Sequence, residues 1–529
     1  MMKRHLIIRI LLVFLYLPLV FSFLRAGTGL PFDVPLDGFT DANKEVQFSF
    51  KDYWNGNFQK SYTASLDASH PLKGVLTRTY STLNYHLFKT GSGVIGKNDD
   101  IFEENYIKSE LAIGEKYDYS TPEKQEEMKC FVEKLELLQK KLERFDKKLY
   151  VYITPSKANF CREDIPDRYL AVAPRQQVNP ADTFRKYMSD TDIPCLYVRD
   201  MKDALEYPAF YPTGIHWSRT FEQLVTLRVI RDLGALTGKD YRTFGIGQAE
   251  HSREPFDRDA DVYELLNLWE KPNHDYYKYK LIPIFPDEID KLRVLMYGDS
   301  FGQGIRKDFI ELSYMETLYY VNYKNYILDL KGRFAELHKD FANLDWKYYL
   351  DSSDIIVIQM GECLIKDYTL GFVDYMNDYL ETYSPDTATS ETMTYLTPGT
   401  DSEWNQEAME GFYDRESGHV WMSPSAWLYL DQKELSEEGL EIRYTVPNEL
   451  FSTMDKMKVH IYVNGKKIQV QEYSAPQDEV LYIRDLPETE NNVCELTFLC
   501  SGAYCPSELG ISKDNRKLAL KMTYVGKIR

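Results

Sequence analysis

A serine and a histidine stand in sequence settings that suit nucleophilic catalysis. Ser300 ends a Gly-Asp-Ser tripeptide that follows the apolar run 293–297, and His216 stands in the polar, turn-rich segment 213–218. A serine hydroxyl becomes an effective nucleophile when a histidine accepts its proton, and the product is a covalent acyl-serine. These two residues therefore indicate acyl transfer or ester hydrolysis.

The elements around Ser300 must present it at one edge of a sheet. The apolar run before it predicts a buried parallel strand, and Gly298 and Asp299 predict a tight turn from this strand into a helix. Ligands of open α/β sheets bind at the carboxyl ends of the strands, and a helix N-terminus stabilises negative charge. Asp299 is expected to stabilise the turn, and Trp217 to pack the histidine loop.

Other apolar runs complete the expected sheet. The run 149–153 and the run 355–359 predict two further buried strands, and helical patterns at 121–145 and 219–236 alternate with them. Alternating strands and helices are typical of a parallel α/β sheet.

Four segments in order resemble the SGNH hydrolase-like domain of the alginate O-acetylation proteins, the AlgJ/AlgX type. They are Val-Ile-Gly-Lys-Asn-Asp-Asp-Ile-Phe at 94–102, Leu-Tyr-Val-Tyr-Ile-Thr-Pro-Ser-Lys at 149–157, Thr-Gly-Ile-His-Trp-Ser at 213–218 and Gly-Asp-Ser at 298–300. That family carries Asp-x-His-Trp ahead of Gly-Asp-Ser, the reverse of the order in ordinary SGNH esterases. The resemblance extends over much of 31–370.

The resemblance implies a parallel sheet flanked by helices, with Ser300 as nucleophile and His216 as base. It implies transfer of acetyl groups to hydroxyls of a cell-surface or secreted polysaccharide, without a cofactor or metal. A membrane-bound O-acyltransferase partner would bring the acetyl groups across the bilayer. The family has a Glu-bearing turn after the strand that corresponds to 355–359, so Gln359 and Glu362 are candidates for holding the substrate or the histidine. A polar strand end that faces water is an equal alternative.

One position departs from the family pattern. The family's aspartate falls on Gly214, so the acid that would orient His216 is missing from its expected place. Asp203, Glu222 or another carboxylate could replace it in space, and a Ser–His dyad would work more slowly. A glycan-binding or assembly protein that has lost catalysis, and a polysaccharide acetyl esterase, are the alternative functions.

Composition excludes some partners. The formal net charge is −19 over 529 residues, which argues against nucleic acid, because a phosphate backbone needs a basic face. A neutral or weakly charged glycan fits an acidic protein better than a polyuronate does. The 41 tyrosines supply side chains that both stack and donate hydrogen bonds, which suits a carbohydrate surface.

The first residues predict a membrane signal. Lys3, Arg4 and His5 precede an apolar stretch at 6–24, which approaches the length of a membrane-spanning helix. We expect an uncleaved signal anchor over 1–26, with the rest of the chain outside the cytoplasm. A secreted or periplasmic protein after signal cleavage is the alternative.

The sequence also predicts a second unit. The SGNH-like domain is expected over 27–383, a polar linker over 384–402 and an antiparallel β-sandwich over 403–529, because short strands follow one another at regular spacing. Asn464-Gly465 between two alternating runs predicts a type I′ hairpin.

Three aromatic residues of this second unit are candidates for stacking on sugar rings. They are Tyr413, Trp421 and Trp427. The alternative is that they pack in the core, and we favour this alternative for Trp427.

Overall fold

The computed structural model describes most of the chain after the first 33 residues. The ranges are 16, 34–38, 47–68, 72–312, 315–322, 326–330, 334–337, 341–366, 369–386, 392–397, 408–416, 418–435, 438–486, 489 and 492–528. The signal anchor expected over 1–26 lies outside these ranges, apart from Tyr16. Within them, no helix has both the length and the apolar character needed to cross a bilayer.

Twelve strands precede residue 366 within the described ranges. They are β1 (Thr90–Gly91), β2 (Gly93–Ile95), β3 (Ile101–Phe102), β4 (Lys148–Thr154), β5 (Cys195–Tyr197), β6 (Phe244–Ser252), β7 (Tyr276–Pro283), β8 (Leu292–Gly298), β9 (Met315–Asn322), β10 (Tyr326–Leu328), β11 (Phe334–Leu337) and β12 (Ile355–Gly361). Seven of them form one sheet in the order β11-β10-β9-β8-β12-β4-β5, with β6 and β7 as a separate hairpin.

The middle of this sheet is parallel. Strand β8 pairs in parallel with β9 on one side and β12 on the other, β12 pairs in parallel with β4, and β4 pairs in parallel with β5. Strands β10 and β11 add an antiparallel edge. The predicted parallel α/β sheet is confirmed.

Helices cover both faces of the sheet. The α-helices up to residue 386 are α1 (Phe50–Trp54), α2 (Asn57–Ala68), α3 (Lys73–Phe88), α4 (Glu104–Glu110), α5 (Pro122–Glu143), α6 (Lys157–Phe160), α7 (Asp167–Leu170), α8 (Pro180–Met188), α9 (Arg219–Thr237), α10 (Asp261–Leu265), α11 (Ser300–Leu312), α12 (Trp346–Asp351) and α13 (Phe372–Tyr379). Helices α9 and α11 pack on one face, where Val294 and Met296 point, and α5 and α13 pack on the other, with Leu295 and Tyr297. The helices bury both faces of the central strands, so apolar side chains are found on both faces of the sheet.

Local sequence explains where two of these helices begin and end. Thr121 accepts a hydrogen bond from the Lys124 N–H, and Pro122 occupies the first turn of α5, so the start follows the expected cap. Helix α9 ends at Gly238 with φ +69°, a left-handed conformation that suits glycine.

The C-terminal strands form one curled antiparallel sheet. They are β13 (Met409–Glu416), β14 (His419–Asp431), β15 (Leu440–Val446), β16 (Met457–Val463), β17 (Lys466–Tyr473), β18 (Gln477–Ile483), β19 (Val493–Cys500) and β20 (Leu520–Lys527), with a short helix α14 (Gln432–Leu435). Their order is β17-β16-β19-β14-β20-β15-β18, and β13 pairs with β14. Asn464 and Gly465 have φ of 50° and 76°, as a type I′ hairpin requires.

The expected β-sandwich would have two separate sheets. The observed sheet is continuous, because one long strand joins its two halves. Residues 420–422 of β14 pair with β20, whereas residues 425–431 pair with β19. The change of neighbour falls at Ser423-Pro424, and a proline cannot donate to a strand ladder. The sheet therefore curls at this point around a single core.

Segments outside the strands also belong to this C-terminal core. Met393 and Leu396, within the expected linker, form isolated bridges with Leu430 and Val525. Ile289, from the segment before β8, is buried in the same core. Part of the expected linker is thus ordered against the C-terminal sheet.

The aromatic candidates of this unit are mainly core residues. Trp421 and Trp427 are 7% and 6% exposed and both lie in the C-terminal core, while Tyr413 is partly buried. Trp427 Nε1 donates to the Met315 carbonyl at 3.1 Å, which joins the C-terminal sheet to β9. For Trp421, as for Trp427, the core alternative is the one observed.

Candidate functional site

Ser300 lies at the position that the sequence predicted. It opens helix α11 directly after β8, at the carboxyl end of the central parallel strand. Gly298 precedes it because the Gln359 side chain crosses the strand end closely: a Cβ at 298 would lie 2.6 Å from Gln359 Oε1. The Ser300 side chain is partly exposed and can therefore meet a substrate.

Asp299 fixes the turn and does not reach the histidine. Its carboxylate accepts from the Phe301 N–H at 2.8 Å, so it caps helix α11. Its own N–H donates to Gln359 Oε1 at 2.7 Å, and Tyr320 Oη donates to its carbonyl. Burial raises the pKa of Asp299 to about 6, against the hydrogen bonds that lower it.

His216 lies beside Ser300. Its Nε2 is 2.7 Å from Ser300 Oγ, although the two residues are 84 positions apart in the chain. The ring packs against Phe301 with a centroid distance of 4.7 Å, and Trp217 packs on the same phenyl ring at 5.1 Å. Trp217 thus supports the histidine loop as expected, and the 11% exposure of the His216 side chain leaves it an opening to solvent.

Asp261 occupies the place of the missing acid. Its Oδ2 is 2.5 Å from His216 Nδ1, and its Oδ1 accepts from the Ile215 N–H at 3.1 Å. A carboxylate in this position fixes which ring nitrogen carries the proton and leaves Nε2 as the acceptor that faces the serine. Asp203 is exposed on the 3-10 turn Val198–Ala204 and takes no part in this arrangement.

Gly214 is explained by the segment that brings Asp261. A Cβ at 214 would lie 2.9 Å from the Asp259 carbonyl oxygen, 3.1 Å from the Arg258 carbonyl oxygen and 3.1 Å from Asp261 Oδ1. Backbone atoms of 258–259 fill the space that a side chain at 214 would need. The carboxylate that contacts His216 therefore comes from the start of α10 and not from the histidine loop.

The surroundings hold His216 in its neutral form. Burial lowers the pKa of His216 below its ordinary value of 6.5, Arg258 lowers it further, and the hydrogen bond that His216 donates to Asp261 opposes this decrease. A neutral imidazole accepts a proton at neutral pH, as a general base must.

Glu222, the other acid considered from the sequence, binds side chains around the histidine loop and holds them in position. Its Oε2 accepts from Trp217 Nε1 at 2.8 Å and from Arg258 Nη2 at 2.9 Å, while Oε1 accepts from Arg219 Nη1 at 2.8 Å. Arg258 Nη1 in turn donates to the Ser300 carbonyl at 2.5 Å. Glu222 thus connects the histidine loop with the serine turn.

This network continues into the interior as paired charges. Arg219 binds Asp308 through two hydrogen bonds of 2.8 and 2.6 Å. Gly304 of helix α11 lets the network approach, because a Cβ there would lie 1.8 Å from Glu222 Oε2. Burial raises the pKa of Asp308 to about 6, and Arg219 opposes the increase.

Two of the family-like segments meet under the histidine loop. The fully buried Lys157 is paired with Asp100 at 2.7 Å, so the residues of 94–102 and 149–157 come together. Lys157 Nζ also donates to the carbonyls of Tyr211, Pro212 and Gly214 at 2.7, 3.0 and 3.0 Å. One ammonium group therefore holds the loop that carries the histidine.

The two polar residues at the end of β12 have different surroundings. Gln359 joins the Asp299 N–H to Thr154, donating to Thr154 Oγ1 at 2.9 Å, and so supports the serine turn. Glu362 accepts from the Ser156 N–H at 3.2 Å and lies 3.5 Å from Arg199. Burial raises the pKa of Glu362 to about 8. Both side chains are buried, so neither is the water-facing strand end considered above, and no contact between Glu362 and His216 is observed.

Sequence reasoning missed Asp261, Arg258 and the role of Lys157. The sequence Asp257-Arg258-Asp259-Ala260-Asp261 concentrates three carboxylates in five residues, which is the only local signal for the replacement acid. Within the described ranges, no group of three or more His, Cys, Asp or Glu residues is arranged to hold a metal.

No protein-family model and no curated protein sequence matches the chain. Among solved structures, it is similar to the O-acetyltransferase domain of Pseudomonas putida AlgJ, with 12% identity, a TM-score of 0.33, and 54% of this chain and 99% of that chain covered. It is similar to Pseudomonas aeruginosa AlgX, with 9% identity, a TM-score of 0.32, and 82% and 90% covered. It is also similar to Bacillus cereus PatB1, with 10% identity, a TM-score of 0.30, and 46% and 92% covered. The first two are of the type that the sequence motifs resemble; at these TM-scores, the inference of function depends on the site geometry.

Proposed function

We propose that the protein is an extracytoplasmic O-acetyltransferase that modifies hydroxyls of a cell-surface or secreted polysaccharide. The observation that carries the proposal is the chain of contacts from Ser300 Oγ to His216 Nε2 at 2.7 Å and from His216 Nδ1 to Asp261 Oδ2 at 2.5 Å. A nucleophile, a base and a carboxylate that orients the base make up a catalytic triad, which is recognised by geometry and not by chain order.

In the first half-reaction, His216 Nε2 takes the proton of Ser300 Oγ as that oxygen bonds to the acetyl carbon of a donor ester. The carbonyl oxygen of the ester becomes an oxyanion. The Phe301 N–H is bound to Asp299, so the Ser300 N–H at the start of helix α11 is the donor that we assign to this oxyanion. Collapse of the tetrahedral intermediate returns the proton from His216 to the departing oxygen and leaves acetyl-Ser300.

In the second half-reaction, a sugar hydroxyl attacks acetyl-Ser300. His216 removes the hydroxyl proton and then gives it to Ser300 Oγ, so the acetyl group ends on the glycan and the enzyme is restored. Water in place of the sugar would give an acetyl esterase with the same residues. The acidic net charge supports a neutral or weakly charged acceptor.

The alternative of a glycan-binding protein without catalysis depended on the missing acid at Gly214. The contact between the Asp261 carboxylate and His216 supports the enzyme over this alternative. The proposal includes a membrane anchor over residues 1–26, which the apolar stretch at 6–24 supports. It also includes a membrane-bound O-acyltransferase that supplies the acetyl groups, which the motif resemblance supports.

Acyl-enzyme formation with an artificial donor tests the proposal. Incubation with p-nitrophenyl acetate should add one acetyl group to a peptide that contains Ser300, detected by mass spectrometry after digestion. Ser300→Ala should abolish the adduct and lower turnover by about 10⁶-fold, the scale found when a triad loses a member that acts as part of a unit. Ser189→Ala, at an exposed serine of the same domain, is the matched control and should remain fully active.

Adding glycan acceptors to the acetylated enzyme separates transfer from hydrolysis. Acetylated glycan in excess of free acetate supports the transferase, whereas acetate alone with every acceptor supports the esterase. An unmodified Ser300 together with normal polysaccharide acetylation in cells carrying Ser300→Ala would overturn both.

A further inference from the structure

A cleft separates the β6–β7 hairpin from the C-terminal sheet. Its volume is about 1040 Å³, and Arg242, Ile310, Met315, Phe412 and Trp427 are among its lining residues. Met315 begins β9 and pairs with Leu292 at the beginning of β8, whereas Ser300 follows the other end of β8. The cleft is therefore roughly 20 Å from the catalytic serine, since a seven-residue strand rises about 3.3 Å per residue.

The guanidinium of Arg242 lines this cleft with no ion-pair partner among the residues that the structure describes. Arg242 is 4% exposed, and its Nε is buried without a hydrogen-bond acceptor among the described residues. The guanidinium lies over two aromatic rings, with its carbon atom 5.1 Å from the Phe244 ring centroid and 5.4 Å from the Phe285 ring centroid. Most buried arginines are paired, because an unpaired buried charge is costly.

Among the described residues, no carboxylate compensates the charge of Arg242, although Glu410 and Asp414 also line the cleft. The ionisable groups that act on it are the Cys500 thiol and the Tyr462 phenol, and burial raises the pKa of each to about 12, so both are neutral at pH 7. Burial lowers the pKa of Arg242 to about 10, which leaves it charged. The guanidinium is thus a buried cation that lacks a counter-ion.

The rest of the cleft suits a ligand with a ring. The cleft is lined by the aromatic side chains of Phe244, Phe412 and Trp427, and aromatic walls around a few polar groups are typical of small-molecule sites. Arg516, a second arginine in the lining, is already bound to Asp514 and Glu416 at 2.7 and 2.9 Å. Arg242 is therefore the arginine of the cleft that is left to meet a ligand.

We infer that this cleft binds a ring-bearing anion, whose carboxylate or phosphate is held by the Arg242 guanidinium and whose ring packs on the aromatic wall. Planar guanidinium groups bind both oxyanions through paired N–H donors. The site is separate from the Ser300 site and does not depend on the proposed acetyl transfer.

Titration calorimetry on the purified protein tests the inference with four probes: glucuronate, glucose 1-phosphate, glucose and inorganic phosphate. We expect at least one of the two ring-bearing anions to bind at least tenfold more tightly than both glucose and inorganic phosphate. Preference between glucuronate and glucose 1-phosphate then distinguishes a carboxylate ligand from a phosphate ligand. Arg242→Gln should weaken that binding at least tenfold, and Arg242→Lys should weaken it less.

Arg516→Gln is the matched control, because this arginine lines the same cleft but is already paired, and it should change affinity less than twofold. Equal binding by wild type and Arg242→Gln would overturn the inference, as would tight binding of glucose or inorganic phosphate. The absence of binding by both ring-bearing anions would also overturn it. Turnover of p-nitrophenyl acetate should be unchanged in Arg242→Gln, which keeps this test independent of the Ser300 chemistry.

Discussion

Two buried arginines near opposite ends of the seven-stranded sheet, Arg219 and Arg242, have opposite surroundings. At the carboxyl end, Arg219 and Arg258 are bound to Glu222 and, for Arg219, to Asp308, so each charge has a partner. At the amino end, Arg242 is buried without a charged partner among the described residues. Paired charges hold the side chains of a site in position before a ligand binds, whereas an unpaired buried charge can be paired by a ligand of opposite charge. The difference separates the proposed catalytic centre, whose charges are already paired, from a candidate binding cleft.

After loss of the nucleophile itself, the proposed acid of the triad should be the most sensitive position. Asp261→Asn should lower kcat for ester turnover by about 10⁴-fold, because an amide no longer fixes the required tautomer of His216. Thermal unfolding should show an intact fold. Asp203→Asn, at an exposed acid away from the site, is the control and should keep full activity. Near-normal activity of Asp261→Asn would show that a simple Ser–His dyad suffices.

Removal of a paired arginine should cost stability. Arg219→Met leaves Asp308 and Glu222 buried with fewer partners, and we expect a loss of about 3–5 kcal/mol in the free energy of unfolding, the range for breaking a buried ion pair. Arg228→Met on the same helix removes an exposed pair with Asp232 and should cost no more than about 0.5 kcal/mol. Denaturant unfolding measures both. Equal losses would contradict the assignment of a buried network.

An acid introduced at position 214 should have a smaller effect, and that effect should be a loss of activity. Gly214→Asp should lower activity about tenfold, a clash effect on the scale of 1–3 kcal/mol, because a Cβ there meets the backbone of 258–259. Gly214→Ala separates the clash from the added charge and should also lose activity. In the Asp261→Asn background, Gly214→Asp should give no rescue. Restored activity would show that the two positions are interchangeable.

The pH profile tests the electrostatics of the triad. Only neutral His216 accepts the serine proton, so kcat/KM should fall as the pH decreases through the pKa of His216. Burial lowers that pKa, so the midpoint of the acid limb should lie below 6.5. In Asp261→Asn the limb should move lower still, because the hydrogen bond that raises the pKa is lost. A midpoint above 6.5 in the wild-type protein would contradict this environment.

The smallest effect is expected at the unpaired arginine. Arg242→Met should change the free energy of unfolding by no more than about 1 kcal/mol in the absence of ligand, and in the stabilising direction, because no ion pair is lost and a buried charge is removed. Chemical denaturation of Arg242→Met and Arg219→Met under the same conditions measures the two changes in the free energy of unfolding. A loss as large as that of Arg219→Met would show that Arg242 is a structural partner and remove the contrast between the two ends.

Elements whose signals lie within a few neighbouring residues were predictable from the amino-acid sequence. The apolar run 293–297 followed by Gly298 predicted the strand-turn-helix at Ser300, Thr121 and Pro122 predicted the start of α5, and Asn464-Gly465 predicted a hairpin. These features depend on neighbouring residues, because caps, turns and the period of buried positions are set within a few positions along the chain.

The identity of the carboxylate that faces the histidine became visible only in the folded protein. Asp261 and His216 are 45 positions apart, and nothing local distinguishes Asp261 from Asp257 or Asp259. The same holds for the curl of the C-terminal sheet, which depends on β14 changing neighbours at Ser423-Pro424. It also holds for Arg242, whose missing counter-ion is a property of everything packed around it. Distances between segments far apart in the chain are set by packing, and a motif has no information on what lies opposite it in space.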